Sequence, residues 1–497
     1  MSFVSWSFLL FLAVVIACNF VSPRRVRWCV LLAASYVFYW FLGGWFAMSA
    51  VSFTILTVYA SGLWAGSLRR RGASRKARRA PLAVCLTLNF GLLLFFKYSS
   101  SFVPSLGALL IPGISFYTFQ ASGYLIDIYK GKVTAERNPL KLALFLSFFP
   151  QLIQGPISRH SEIASDLFNG NKWDWERARS GIQKIIWGYF MKMVVADRAA
   201  LLVGTVFDNF TLYGGVVILL SIFVYSVQIY ADFSGGINIA VGVAEIIGVK
   251  MPENFRQPFF ANSLSDFWRR WHITLGSWFK DYLFYPIALS APFAKIGKLA
   301  RKLFGKRTGK MFQPCLATFV AFFAIGIWHG TGAHIMLFGL LNGVIISAAL
   351  FMEPLMERMR SKTRIDGRKS GFGRVFAALR TLALLMFLRY FARASSLGEV
   401  WALLEQTALH PRLRELWNGM LLGLGLNITD LIVLSVGTVL IFIRDFVTET
   451  GRDCGKILNA ARPALQFIVL FAALLSIVLF GIYSGVTLSA TFIYAQY

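Results

Sequence analysis

Apolar residues run through this chain in long blocks, and polar residues gather in short segments between them. Blocks of spanning length fall at about 3–21, 28–47, 50–67, 81–96, 138–157, 215–231, 314–329, 333–352, 377–392, 429–443 and 465–484. A helix needs about twenty apolar residues to cross ~30 Å of hydrocarbon. The stretches 102–128, 181–196 and 200–212 suit short or re-entrant segments. Strict apolar–polar alternation is absent, which argues against a β-barrel. An open strand cannot satisfy its backbone in lipid. The pattern therefore predicts an all-α, polytopic membrane protein with roughly 10–12 transmembrane or re-entrant helices.

Composition agrees. Of 497 residues, 57% are hydrophobic and 15% charged, against about 45–50% and 25% in soluble domains. Disorder, a soluble Rossmann-type enzyme and a disulfide scaffold are excluded. The five cysteines, Cys18, Cys29, Cys85, Cys315 and Cys454, show no metal-ligand spacing. No repeat or Pro-rich linker divides the chain, so 1–497 reads as a single domain.

Charge adds orientation. The net charge is +27, and much of the excess sits in three blocks, 69–79, 295–310 and 358–374. Basic loops between apolar blocks mark the cytoplasmic side, so this charge carries no nucleic-acid implication. The first apolar run precedes Arg24, Arg25 and Arg27. That order favours a retained first span with its N-terminus outside. Counting crossings from the third block puts 395–427 and the tail 485–497 outside as well. The expected location is a bacterial cytoplasmic membrane, with both termini extracytoplasmic.

Polar groups inside membrane runs are costly and mark candidates for function. Asp232, Ser234 and Asn238 flank Gly235-Gly236, where a break in the helix is expected. They either line a tunnel or form a loop in which Asp232 caps the next helix. Ser263 and Asp266 have capping-box spacing. The helix they start should carry Trp268, Trp271, His272, Leu275 and Phe279 on one face, with Arg269 and Arg270 beside them. Its aromatic and cationic mixture suits either an interfacial anchor or a vestibule for a phosphate-bearing ligand. His329, after Trp328, closes the segment that begins near Pro314. A neutral imidazole there is either a general base or a hydrogen-bonded core group. No G-x-S-x-G, P-loop, HExxH or three-ligand metal cluster occurs.

Read in order, further motifs join these clusters. They are Ser115-Phe116-Tyr117-Thr118-Phe119-Gln120, Phe148-Phe149-Pro150-Gln151, Gly155-Pro156-Ile157-Ser158-Arg159, Tyr230-Ala231-Asp232-Phe233-Ser234-Gly235, Pro252-Glu253-Asn254-Phe255, Phe267-Trp268-Arg269-Arg270-Trp271-His272, Trp328-His329-Gly330 and Phe492-Ile493-Tyr494. Together they resemble the membrane-bound O-acyltransferase family. The similarity is to its bacterial alginate O-acetylation, peptidoglycan O-acetylation and teichoic-acid D-alanylation branches, with a motif core at about 115–345. Gly236, Asn238 and Ala288-Leu289-Ser290 depart from the usual pattern and bear on donor or acceptor preference.

The resemblance implies a shell with a thin floor and a central tunnel. His329 takes the central catalytic position and His272 the second, with Asp232, Ser234, Asn238, Trp268, Arg269, Arg270, Trp271 and Trp328 along the tunnel. It implies no bound cofactor or metal. The donor is a cytoplasmic acyl thioester, acetyl-CoA or a phosphopantetheine carrier protein, which an acidic carrier would make complementary to the basic loops. Tyr494 would carry the acyl group on the outer face. The acceptor would be a cell-envelope polysaccharide, reached through an extracytoplasmic esterase-like (SGNH-type) partner. D-alanyl transfer to teichoic acid is the alternative within the family. A transporter or flippase is the alternative outside it, and would show paired broken helices in two related halves.

Overall fold

The structure is a computed structural model, and it describes residues 1–102, 111–363 and 370–483. Among these, helix is the regular structure and no strand occurs. Among the described residues, eight helices are long and apolar enough to cross a membrane. The tail with Tyr494 lies outside the described residues, as does part of the third basic block.

The chain divides into two compact units, one of residues 1–197, 229–253 and 453–497, the other of 198–228 and 254–452.

In the first unit, the expected spans 28–47 and 50–67 are limbs of one helix, Arg27–Arg70, bent at Gly44 with φ 60°. Its 44 residues would measure about 66 Å straight, twice a bilayer crossing. The expected span 138–157 is different in kind. It forms two short helices, Pro139–Ser147 and Phe149–Leu152, separated by extended Phe148 and restarted at Pro150. Most of this segment is buried inside the protein, so its apolar character belongs to a protein core. Phe149 meets Phe11 edge-on at 5.3 Å and Phe38 at 5.8 Å. Phe38 in turn packs on Phe3 and Phe8.

The expected break at Gly235-Gly236 does not occur: the helix Gly215–Ile247 runs through it. The glycines serve close packing instead. A Cβ on Gly188 would lie 2.6 Å from the Gly235 carbonyl oxygen, and one on Gly181 would lie 2.6 Å from that of Gly242. Two helices thus touch backbone to backbone in antiparallel register, the arrangement that small residues permit within membranes. The next pair in that register is Lys192 with Asp232, at 2.5 Å. Lys192 sits in a π-helical stretch, Phe190–Ala196, and also reaches Asp197 at 2.9 Å. All three side chains are buried. Burial pushes the Asp197 carboxyl up to about 6, against the pull of Lys192.

In the second unit, the basic block 295–310, expected as a loop, is helical. It opens the helix Ala291–His329, which breaks at Gly305. The chain reverses there, because a Cβ on Gly309 would touch the Arg301 backbone at 2.4 Å. The apolar limb then pairs with Ala333–Thr363 through the short Gly330-Thr331-Gly332 connection. Glycine again sets the spacing, since a Cβ on Gly339 would lie 2.5 Å from the Phe322 carbonyl oxygen.

Candidate functional site

The site region of the second unit starts as the sequence predicts. Ser263 caps the helix Leu264–Arg270, its Oγ accepting from the Asp266 N–H at 3.1 Å. The single amphipathic helix expected beyond it does not form. The helix ends at Arg270, Trp271 is extended, and a second helix, Ile273–Phe279, begins after His272. His272 is left-handed, with φ 45° and ψ 54°. Such a backbone costs an ordinary L-residue about 1–2 kcal/mol, and His, Asn and Asp bear it most readily.

The strand-like segment after Glu253 holds this break in place. The Ile273 N–H donates to the Asn254 carbonyl at 2.9 Å, and the Arg256 N–H donates to the Arg270 carbonyl at 2.9 Å. The Asn254 side chain completes the clamp. Its Oδ1 accepts from the Thr274 N–H at 3.0 Å and from the Thr274 hydroxyl at 2.8 Å, and stands 3.2 Å from His272 Nδ1. His272 is 2% exposed, and burial pushes its imidazole down to about 3. It is neutral at physiological pH.

Trp328 links the two histidines. Its ring centroid lies 6.4 Å from that of His272 and 4.5 Å from that of His329. The imidazole centroids are therefore no more than about 11 Å apart. His329 is the last residue of its helix and is half-buried, with Phe338 at 6.2 Å. Between them the pair offers a neutral, enclosed imidazole and a more accessible one. That combination suits proton transfer to and from a hydroxyl or thiol.

Aromatic residues pack around this break. Trp271 stacks on Phe267 at 5.5 Å and meets Phe255 edge-on at 5.0 Å. Trp268 donates its indole N–H to Asn342 Oδ1 at 2.9 Å. Arg270 is committed to Asp266 and to both oxygens of Glu449. Arg269 is exposed.

Asp232, Ser234 and Asn238 belong to the first unit. Asp232 is ion-paired with Lys192, and Asn238 donates to the Ser234 carbonyl one turn back at 2.6 Å. His272, Trp268, Trp271, Trp328 and His329 come together in the second unit; these three polar residues do not join them there.

Four residues here were missed by sequence reasoning. Lys192 had a signal, a cation between the apolar runs 185–191 and 193–196. Asn254 was visible only within a motif. Asn342 and Arg389 carried no local sign. Arg389 is buried, with its guanidinium 5.5 Å over the Trp271 ring.

Comparison with known proteins gives the family. The family described as MBOAT, membrane-bound O-acyltransferase, matches residues 83–381, more than half of the chain. The chain is 28% identical over 479 residues to a probable alginate O-acetylase of Pseudomonas syringae pv. tomato, covering 92% of this chain and 84% of that protein. It is 32% identical over 307 residues to a peptidoglycan O-acetyltransferase of Helicobacter pylori, covering 54% and 55% respectively. It is 29% identical over 255 residues to a teichoic acid D-alanyltransferase of Bacillus subtilis, covering 48% and 59%. With its helical membrane architecture and its paired histidines, the chain belongs to the membrane-bound O-acyltransferase family and is an O-acyltransferase.

Proposed function

We propose that this protein takes an acetyl group from a cytoplasmic thioester, acetyl-CoA, and passes it across the membrane for O-acetylation of a cell-envelope polysaccharide. The observation that carries the reading is the His272–Trp328–His329 array, two imidazoles bridged by one indole within a single unit. His329, the more accessible, serves as general base: it takes the proton of the attacking hydroxyl and returns it to the leaving thiolate. His272, enclosed and neutral, orients the acyl group. Trp268, Trp271 and Trp328 wall the path and keep water from the thioester.

The names of the similar proteins support the acceptor class, since alginate, peptidoglycan and teichoic acid are all cell-envelope polymers. The reading places both termini and the acceptor outside, and the basic segments on the donor side. Tyr494 carries the acyl group on the outer face, and an esterase-like partner completes the transfer. A phenol with a pKa of about 10 needs such a base to act as a nucleophile.

Intact-mass measurement of the purified protein tests the donor and the relay together. Incubation with acetyl-CoA should add one acetyl group, which Tyr494→Phe should abolish. Acylation from a loaded carrier protein alone would replace acetyl-CoA as the donor. Acetylation retained in Tyr494→Phe would end the relay.

A further inference from the structure

Asn254 is held on its oxygen side by Thr274, beside His272. Thr274 presents a backbone N–H to its side chain, and that N–H can only donate. The amide must therefore turn its oxygen toward Thr274, because the flipped amide would set two donors face to face. The same oxygen stands 3.2 Å from His272 Nδ1. Facing an acceptor, Nδ1 must carry the hydrogen, which leaves the lone pair on Nε2. On the opposite side of the amide, Asn254 Nδ2 is enclosed and has no hydrogen-bond partner among the described residues. Enclosing an amide donor without a partner works against folding. The fold accepts that cost within hydrogen-bond reach of a histidine of the acyl-transfer array.

We propose that Asn254 is a working group of the acyl-transfer site, holding His272 in the Nδ1–H tautomer and offering its Nδ2–H to the carbonyl oxygen of the acyl group in transit. The proposal rests on the acyl-transfer reading above. In the step it serves, the acceptor hydroxyl oxygen bonds to the thioester carbonyl carbon while its proton passes to an imidazole Nε2. The carbonyl π pair moves onto oxygen, where the Asn254 amide donates to it. As the pair returns, the C–S bond breaks and the leaving thiolate takes the proton from the imidazolium. The products are an ester and a free thiol. The amide acts where charge develops, the placement with the greatest catalytic leverage.

The test uses the full chain in detergent with acetyl-CoA as probe and free-thiol release as readout. Asn254→Asp keeps the accepting oxygen and the side-chain shape but removes the donor. Its single-turnover rate of thiol release should fall on the order of 10²–10³-fold, at an acetyl-CoA concentration for half-maximal rate that is little changed. An unchanged single-turnover rate in Asn254→Asp would overturn the donor role. NMR of the ¹⁵N-histidine-labelled protein tests the tautomer without activity: His272 should show a protonated Nδ1 and a bare Nε2, and the reverse would overturn the tautomer role. Thiol release retained in His329→Ala would sink the acyl-transfer reading, and the proposal with it. Loss in His329→Ala beside full activity in Asn254→Asp would sink the donor role alone.

Discussion

Among the described residues, each unit holds a buried polar cluster beside others, and these two are built on opposite terms. Lys192, Asp197 and Asp232 answer one another with full charges, at 2.9 Å and 2.5 Å. Asn254, Thr274 and His272 are neutral, and their hydrogen bonds converge on a single oxygen. Charges paired with one another hold their helices together through the ion pairs. A neutral set with one saturated atom orients an imidazole at low desolvation cost and leaves its chemistry available. On the acyl-transfer reading proposed above, the second cluster is the one placed for reaction.

The largest expected effect is on the charged cluster. Asp232→Ala takes a carboxylate from buried Lys192 and should destabilise the protein by about 3–5 kcal/mol. Thermal unfolding in detergent measures it, and a melting temperature like that of the unmodified protein would break the contrast. His329→Ala should act the other way round. Acyl transfer should fall on the order of 10³-fold while the melting temperature holds, because general acid–base groups contribute about 10²–10⁴-fold. A loss of fold in that variant would move His329 to the structural side.

The clusters should also differ in the sign of their pH response. Folded His272, pushed down to about 3, refuses protons that an unfolded chain takes up below about 6.5. Its share of stability is whole above 6.5 and drains as pH falls toward 3. Asp197, pushed up to about 6, runs in reverse: its share is present at low pH and is lost as pH rises through 6. Replacing His272 with Asn removes only the first slope. The stability difference between the unmodified protein and His272→Asn should shrink by about 2 kcal/mol between pH 7.5 and pH 5. A difference independent of pH would remove the imidazole from the account.

The smallest effect sharpens the locking role. Gly188→Ala puts a Cβ 2.6 Å from the Gly235 carbonyl and should cost about 1–3 kcal/mol, with acyl transfer by the surviving fold unchanged. A selective loss of activity would tie the glycine contact to the reaction.

The apolar blocks and the capped start at Ser263 were legible because each rests on local chemistry: burial in lipid and a hydroxyl satisfying a helix end. The segment 138–157 was misread because a residue buried in protein is as apolar as one facing lipid. Gly235-Gly236 was misread because flexibility and close approach have the same signature, and only the partners Gly188 and Gly181 decide between them. Aromatic spacing continues unbroken across Trp271 and His272, so nothing local announced the left-handed residue. The histidines were visible as polar residues in apolar surroundings. Asn254 acquires its role only when a distant segment folds across the break.

The left-handed backbone at position 272 also limits what may replace the histidine. Aspartate and asparagine fit the dihedrals, whereas alanine adds backbone strain and valine or isoleucine adds more. An alanine scan would therefore charge conformational cost to chemistry at this position. Sequence drift is channelled toward small polar residues, so the simplest route away from an imidazole leads to another hydrogen-bonding side chain.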